Sequence, residues 1–374
     1  MKRIIASLML LLTSMGFSQH IDNPTQQKIT TAKKKAKKFL KSQHIPGMAI
    51  SVSKGGDIIW SEGFGYGKRK PTVPINPSTT LFRIASISKS ITAVMLAKLA
   101  EDKLIDLDTS IYNYLPDYPK KAYDFTARQL GGHLAGIRHT TDDEFKLNKR
   151  MTITEGLELF KNDSLLFEPS TSFHYNSLGY VLLSEVMQKA INKDFYAMVR
   201  DSILIPLKMD NTTMDASNAI PPNTTNFFRT KRILSNPVAN EYKIAGGGFL
   251  STSEDIVRFG HELISPTIIS QESLAQLVTS QRLKNGNLTG YGIGFSVEKT
   301  KHDTPKYYHT GGGVGASSIL MIFPEEDIVI TILTNKSGIS MKAFGEELEA
   351  VFVEERQKTD DRRQKTETDT ETEN

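Results

Sequence analysis

The chain contains no cysteine among its 374 residues. That absence excludes disulfides, thiolate nucleophiles, cysteine zinc ligands and a cysteine lipid anchor together. The formal net charge is only +4. With no basic stripe interleaved with aromatics, nucleic acid is not expected as a partner. Past the first residues no apolar run approaches the roughly 20 residues needed to span a bilayer. There is no Gly-x-Ser-x-Gly elbow, which argues against an α/β-hydrolase. His133 and His139 have no partner carboxylate at zinc-site spacing, so no metal is expected. The glycines Gly311, Gly312, Gly313 and Gly315 form no full dinucleotide fingerprint and no Gly-Lys-Ser/Thr follows them, so neither phosphate binding nor any other cofactor is expected.

What is present begins with an export signal. Lys2 and Arg3 precede the apolar run Ile4 to Leu12, and Gly16-Phe17-Ser18 offers small residues for cleavage after Ser18. Residues 1–18 are therefore read as a signal peptide, and 19–374 as a secreted or periplasmic protein. Thr25 to Lys41 has helical apolar spacing and a lysine face at Lys33, Lys34, Lys35, Lys37, Lys38 and Lys41. Met48–Ser53 and Asp57–Ser61 read as strands joined by a hairpin at Lys54-Gly55-Gly56. Helices are expected over Thr126–Leu134, Thr154–Phe160, Leu178–Asn192 and Phe195–Leu204, and one capped by Ser253 runs to Ile264. Strands return at Gly290–Val297, Lys306–His309, Ser317–Phe323 and Asp327–Thr334, followed by a glutamate-rich helix, Met341–Arg356. From about 358 the tail lacks apolar side chains and is expected to be disordered. The fold class is α/β of the α+β type, with one sheet from about 25–110 and 244–357 and a mostly helical insertion over about 111–243.

The chemistry-bearing stretch is Ser86-Ile87-Ser88-Lys89, opening an apolar helix. At a spacing of three, Ser86 and Lys89 share a helix face, and Ser86 lies at the positive end of the helix dipole. Ile87, Ile91, Val94 and Met95 flank Lys89, so its amine should be desolvated and its pKa lowered. The Ser51/Lys54 and Ser296/Lys299 copies lie in strand contexts, where this spacing puts the side chains on opposite faces. Two further stretches stand out. One is Phe173-His174-Tyr175-Asn176-Ser177, just before a helix. The other is Tyr308-His309-Thr310-Gly311-Gly312, in a late strand. Tyr175 or His309 alone would read as an ordinary buried aromatic or strand histidine, and His133 is read as structural.

In this order and spacing the three stretches resemble the penicillin-recognising serine hydrolases, which comprise serine β-lactamases, D-Ala-D-Ala carboxypeptidases and related esterases. The resemblance covers about residues 40 to 355. It is nearest the class C branch and, within it, the mitochondrial serine β-lactamase-like protein and its bacterial relatives. Phe82-Arg83-Ile84-Ala85-Ser86, Leu134-Ala135-Gly136-Ile137-Arg138-His139 and Gly247-Gly248-Phe249-Leu250-Ser251-Thr252 carry the same wording. The resemblance implies an antiparallel sheet flanked by the first and last helices. It implies Ser86 as acylated nucleophile, Lys89 and Tyr175 as proton carriers, and the Ser86 and Gly312 backbone N–H groups as oxyanion hole. In the third stretch His309, Thr310 and Gly311 would face substrate, with Gly311 needed because a side chain would block the backbone's approach to it. Two departures stand out: Ser177 replaces the usual asparagine, and His309 replaces a lysine whose charge attracts the carboxylate of a β-lactam or terminal D-alanine. The expected partner is thus a small peptide-like amide or an ester. A true β-lactamase and a non-catalytic scaffold on the same fold are the alternatives. The layout also predicts weak ion pairs between Lys33–Lys41 and Glu346–Glu355.

Overall fold

A computed structural model describes residues 22–353. The signal-peptide reading, the charged tail, and Glu354 and Glu355 lie outside those residues. Helix α1 (Asn23–Ser42) starts at Asp22, whose carboxylate accepts from the Thr25 N–H at 2.9 Å. Strands β1 (Gly47–Lys54) and β2 (Asp57–Arg69) follow, joined through Gly55 and Gly56 at φ 62° and 82°. Two successive positive φ values are what a two-residue hairpin turn requires.

The remaining strands are β3 (Thr72–Pro74), β4 (Phe82–Arg83), β5 (Thr213–Met214), β6 (Phe249–Ser251), β7 (Ser296–Lys299), β8 (Pro305–Gly313), β9 (Ala316–Phe323) and β10 (Ile328–Thr334). Seven form one sheet in the order β3-β2-β1-β10-β9-β8-β7, and β4-β6-β5 form a small second one. Every pairing is antiparallel, including β1 with β10 from the far end of the chain. The implied antiparallel sheet is therefore present.

Side-chain alternation decides which layer each strand residue joins. Ile319, Met321 and Phe323 of β9 and Ile328, Ile330 and Ile332 of β10 pack with α1 and the closing helix, Lys342–Phe352. Leu320, Ile322, Val329 and Leu333 point the other way, into the core shared with helix α2 (Ser88–Glu101) and the segments around it. Both faces are covered, which is why β9 and β10 read as unbroken apolar runs. Phe39 of α1 stacks on Phe344 of the closing helix, ring centres 4.0 Å apart. Of the expected helix-to-helix ion pairs, Lys35–Glu347 forms at 3.2 Å, whereas Lys33 turns to Glu62 of β2 at 2.7 Å.

Three expectations need correction. Strand β2 continues to Arg69 instead of stopping at Ser61, because its glycines permit close approach: a Cβ at Gly63 would lie 2.1 Å from the Ile75 carbonyl oxygen. The expected strand Gly290–Val297 shrinks to β7, since Gly290 and Gly294 adopt φ of 71° and 77°. Gly294 passes so close to α2 that a Cβ would meet the Lys89 carbonyl oxygen at 2.8 Å. Finally, helix Ser253–Glu262 is capped by Thr252, not Ser253; the Ser253 hydroxyl instead receives the Ser51 hydroxyl at 2.8 Å.

Candidate active site

Ser86 lies in a tight helical turn, Ala85–Ile87, that runs directly into α2. Ala85 holds φ at +47°, a left-handed value that a side chain makes costly. The turn is held from two sides. The Ser88 hydroxyl donates to the Ala85 carbonyl at 2.7 Å, and Ser318 of β9 donates to the Ile84 carbonyl at 2.8 Å. Helix α2 is buried almost all round, and its hydroxyls are matched to backbone acceptors. Ser90 donates to Gly294 O and Thr92 to Ala245 O, each at 2.8 Å. These bonds tie the helix to the Gly294 turn and to the short helix Ile244–Gly247, which carries the Gly246 carbonyl.

Lys89 has no exposed surface. Its ammonium nitrogen stands 3.1 Å from Ser86 Oγ, 3.1 Å from Ser177 Oγ and 2.8 Å from the Gly246 carbonyl oxygen. Burial lowers its pKa from 10.5 to about 7, as the flanking apolar residues led one to expect. A carbonyl oxygen only accepts, so one Lys89 N–H is committed to Gly246. The neutral amine can donate a second N–H to Ser177 and keep its lone pair for the Ser86 hydroxyl proton.

Tyr175 lines the same cavity wall as Ser86, and burial pushes its phenol above the ordinary tyrosine range. At neutral pH it is therefore a phenol and not a phenolate. Its neighbour Asn176 does not stand in for the amide missing at 177: its side-chain oxygen accepts from the Gly179 N–H at 2.7 Å and its amide donates to the His174 carbonyl at 2.9 Å.

His309 Nδ1 lies 2.7 Å from the Thr310 carbonyl oxygen, so that nitrogen must carry the proton. Nε2 then accepts from the Tyr291 hydroxyl at 2.9 Å. Burial, and then the nearby Lys89, hold His309 down at about 3. No positive charge stands where the implied lysine would. Tyr291 escaped the sequence reading because it sits in the glycine turn mistaken for a strand. The clue was an aromatic residue set between two glycines. His133 is structural as expected: it is buried among Tyr175, Tyr180 and Tyr291, with ring centres 4.5–5.4 Å away. Its imidazole is kept neutral by burial and by Lys89.

The glycine run carries a constraint that the sequence did not reveal. A Cβ on Gly311 would lie 2.1 Å from Ser318 Oγ and 2.5 Å from the Ile84 carbonyl oxygen. Gly311 is thus required for seating β8 on the Ser86 turn, a constraint inside the protein. Gly312 has open space beside it.

Ser86, Ser177, Phe145 and Gly312 separate two compartments. One, of about 410 Å³, is walled by His139, Phe173, Tyr175, Tyr291, His309 and Thr310. The other, about 50 Å³, is walled by Arg83, Thr140, Asn240, Lys243 and backbone from Gly246, Gly247 and Gly312–Val314. A larger cavity of about 730 Å³ beside Arg150, Gln188 and Tyr196 contains none of the reactive side chains. Size is outweighed here by chemistry. Among the described residues no cluster of three metal-ligating side chains occurs, and no helix is long and apolar enough to cross a membrane.

The Beta-lactamase family model matches residues 32–352. The chain is 28% identical to the human mitochondrial serine beta-lactamase-like protein LACTB over 83% of its own length and 77% of that protein's. It is 25% identical to penicillin-binding protein 4* of Bacillus subtilis (strain 168), covering 77% of this chain and 67% of that one. Its fold superposes with a TM-score of 0.76 on the octameric penicillin-binding protein homologue from Pyrococcus abyssi, at 23% identity over 86% of this chain and 76% of that one. A match spanning most of the chain, over the same stretch that carries the Ser86, Tyr175 and His309 motifs, places this protein in the beta-lactamase family of serine hydrolases.

Proposed function

We propose that the protein hydrolyses small peptide-like amides or esters through an acyl-enzyme on Ser86. The observation that carries this is the buried, pKa-lowered Lys89 amine 3.1 Å from Ser86 Oγ. A free serine hydroxyl is a weak nucleophile, and an adjacent base of matched pKa is what activates it. Neutral Lys89 takes the Ser86 proton as Oγ bonds to the substrate carbonyl carbon. The oxyanion that forms is received by the Ser86 and Gly312 backbone N–H groups, each donor worth about 10²–10³ in rate. The proton passes through Lys89 and the Tyr175 phenol to the leaving oxygen or nitrogen as its bond to carbon breaks. Water then repeats the sequence on the acyl-Ser86 ester, giving the acid and regenerating the Ser86 hydroxyl.

Because Tyr175 is held as a phenol, it suits the relay role and Lys89 the base role. Neutral His309 offers no charge to a substrate carboxylate, which favours a neutral leaving portion over a β-lactam. Ser177 does not make the site a relic, since its hydroxyl is one of the groups that fix Lys89. Against a purely binding role stands this intact Ser86–Lys89–Tyr175 set. We propose export for residues 1–18 on the sequence pattern alone. Intact-mass measurement after treatment with a fluorophosphonate and with acyl esters should show one adduct, lost in Ser86→Ala. An equal adduct on the Ala variant would overturn the nucleophile assignment.

A further inference from the structure

We infer that Lys243 is a specificity-determining residue that receives a carboxylate on the acyl portion of the substrate, so that short dicarboxylic monoacyl esters or amides are preferred. This deepens the acyl-enzyme reading and rests on it. The direction of binding follows from the proton's route. The leaving atom must be within reach of Tyr175, and Tyr175 walls only the larger compartment. The leaving portion therefore occupies that aromatic compartment, and the acyl portion turns into the smaller one, where Lys243 waits.

That compartment is built for a small anion. Its volume of about 50 Å³ suits a group of a few heavy atoms, given that a water molecule's share of the liquid is about 30 Å³. Its charged wall residues are Arg83 and Lys243, and no carboxylate lines it. The two cations differ in commitment. Arg83 already has its carboxylate: its Nε donates to Asp215 at 2.6 Å, one terminal nitrogen donates to the Val314 carbonyl at 2.8 Å, and the guanidinium lies over Phe227. Asp215 is further occupied by the Asn240 amide at 2.6 Å. Lys243 is also buried, at 8% exposure, but its ammonium has a single hydrogen bond, to the Phe145 carbonyl at 3.1 Å. An ammonium has three N–H donors. The two left over sit at the wall of a cavity that Ser86 shares. Burial and the neighbouring Arg83 disfavour its charge, while Asp215 and Glu241 favour it. A carboxylate docked there would offset that cost, and hydrogen bonds between charged partners are the strong ones.

The test compares hydrolysis of the mono-4-nitrophenyl ester of glutaric acid with that of 4-nitrophenyl pentanoate, its nearest uncharged counterpart. Wild type should prefer the glutarate ester. Lys243→Met should reduce the glutarate-to-pentanoate ratio of kcat/KM about tenfold or more, mainly through KM, and Lys243→Arg should keep most of the preference. Fluorophosphonate labelling of Ser86, which needs no carboxylate, is followed in each variant. Labelling with no glutarate preference, or an unchanged ratio in the labelled Met variant, overturns this inference alone. Absence of labelling in wild type overturns the acyl-enzyme reading beneath it.

Discussion

If Lys89 is the base that activates Ser86, acylation must follow its ionisation. With its pKa at about 7, close to half of the lysine is neutral at pH 7. An ordinary lysine near 10.4 would be neutral in only about one molecule in 2,500, so burial raises the supply of free base about a thousandfold. We expect kcat/KM for a neutral ester to rise tenfold per pH unit below about 7 and to level off above. Lys89→Arg, whose guanidinium never gives up its proton at such pH values, should cost about a thousandfold or more. The same burial has a thermodynamic signature. Lys89 titrates near 10.4 in the unfolded chain and near 7 in the folded one, so the unfolded state binds more protons between those values and stability rises with pH across that window. The depression corresponds to roughly 5 kcal/mol at 1.36 kcal/mol per unit. Replacing Lys89 by Met also strands the Gly246 carbonyl, a loss that does not vary with pH. The difference in unfolding free energy between the Met variant and wild type should therefore favour the variant most below pH 7 and shrink toward pH 10. Stopped-flow acylation and denaturant titrations at several pH values measure both. A flat rate profile from pH 5 to 9, or one inflecting near 10, would refute the assignment of Lys89 as base. So would a stability difference indifferent to pH.

Gly311→Ala should lower stability by about 2 kcal/mol or more and abolish labelling of Ser86, because the new methyl collides with the Ile84 carbonyl beneath the Ser86 turn. Gly312→Ala, with nothing near its new methyl, should unfold at nearly the wild-type denaturant concentration, and equal losses in both would show that the seating argument is wrong. Tyr291→Phe leaves His309 Nε2 buried without its donor and should cost about 1–3 kcal/mol in chemical denaturation. No loss would mean that water readily replaces the tyrosine.

The sequence was most informative where the chemistry is local. Ser86 and Lys89 are one helical turn apart, so their proximity could be read from spacing. The near-unbroken apolar, β-branched runs of β9 and β10 marked them as strands, and burial on both faces explains why they run unbroken. What escaped was chemistry delivered by backbone or by remote approach. The Gly246 carbonyl that fixes Lys89 has no side chain to announce it. Lys243 looked like any other lysine until the fold buried it. Tyr291 and Phe295 alternate with glycines in a strand-like rhythm, and only the left-handed φ values at Gly290 and Gly294 show that the chain is turning. Thr252 and Ser253 are both competent caps by type, and the choice between them was settled by Ser51, some 200 residues away.

The pairing of β1 with β10 has a kinetic consequence. Met48 lies opposite Thr334, so the centre of the sheet joins residues 286 positions apart in the chain. Until the final strand is available, β1 has one unpaired edge. Closing so long a loop before any contact rewards it makes for slow, late consolidation. Chains interrupted before residue 334 should therefore be sensitive to proteolysis throughout, including around Ser86, whose turn is braced by β8 and β9.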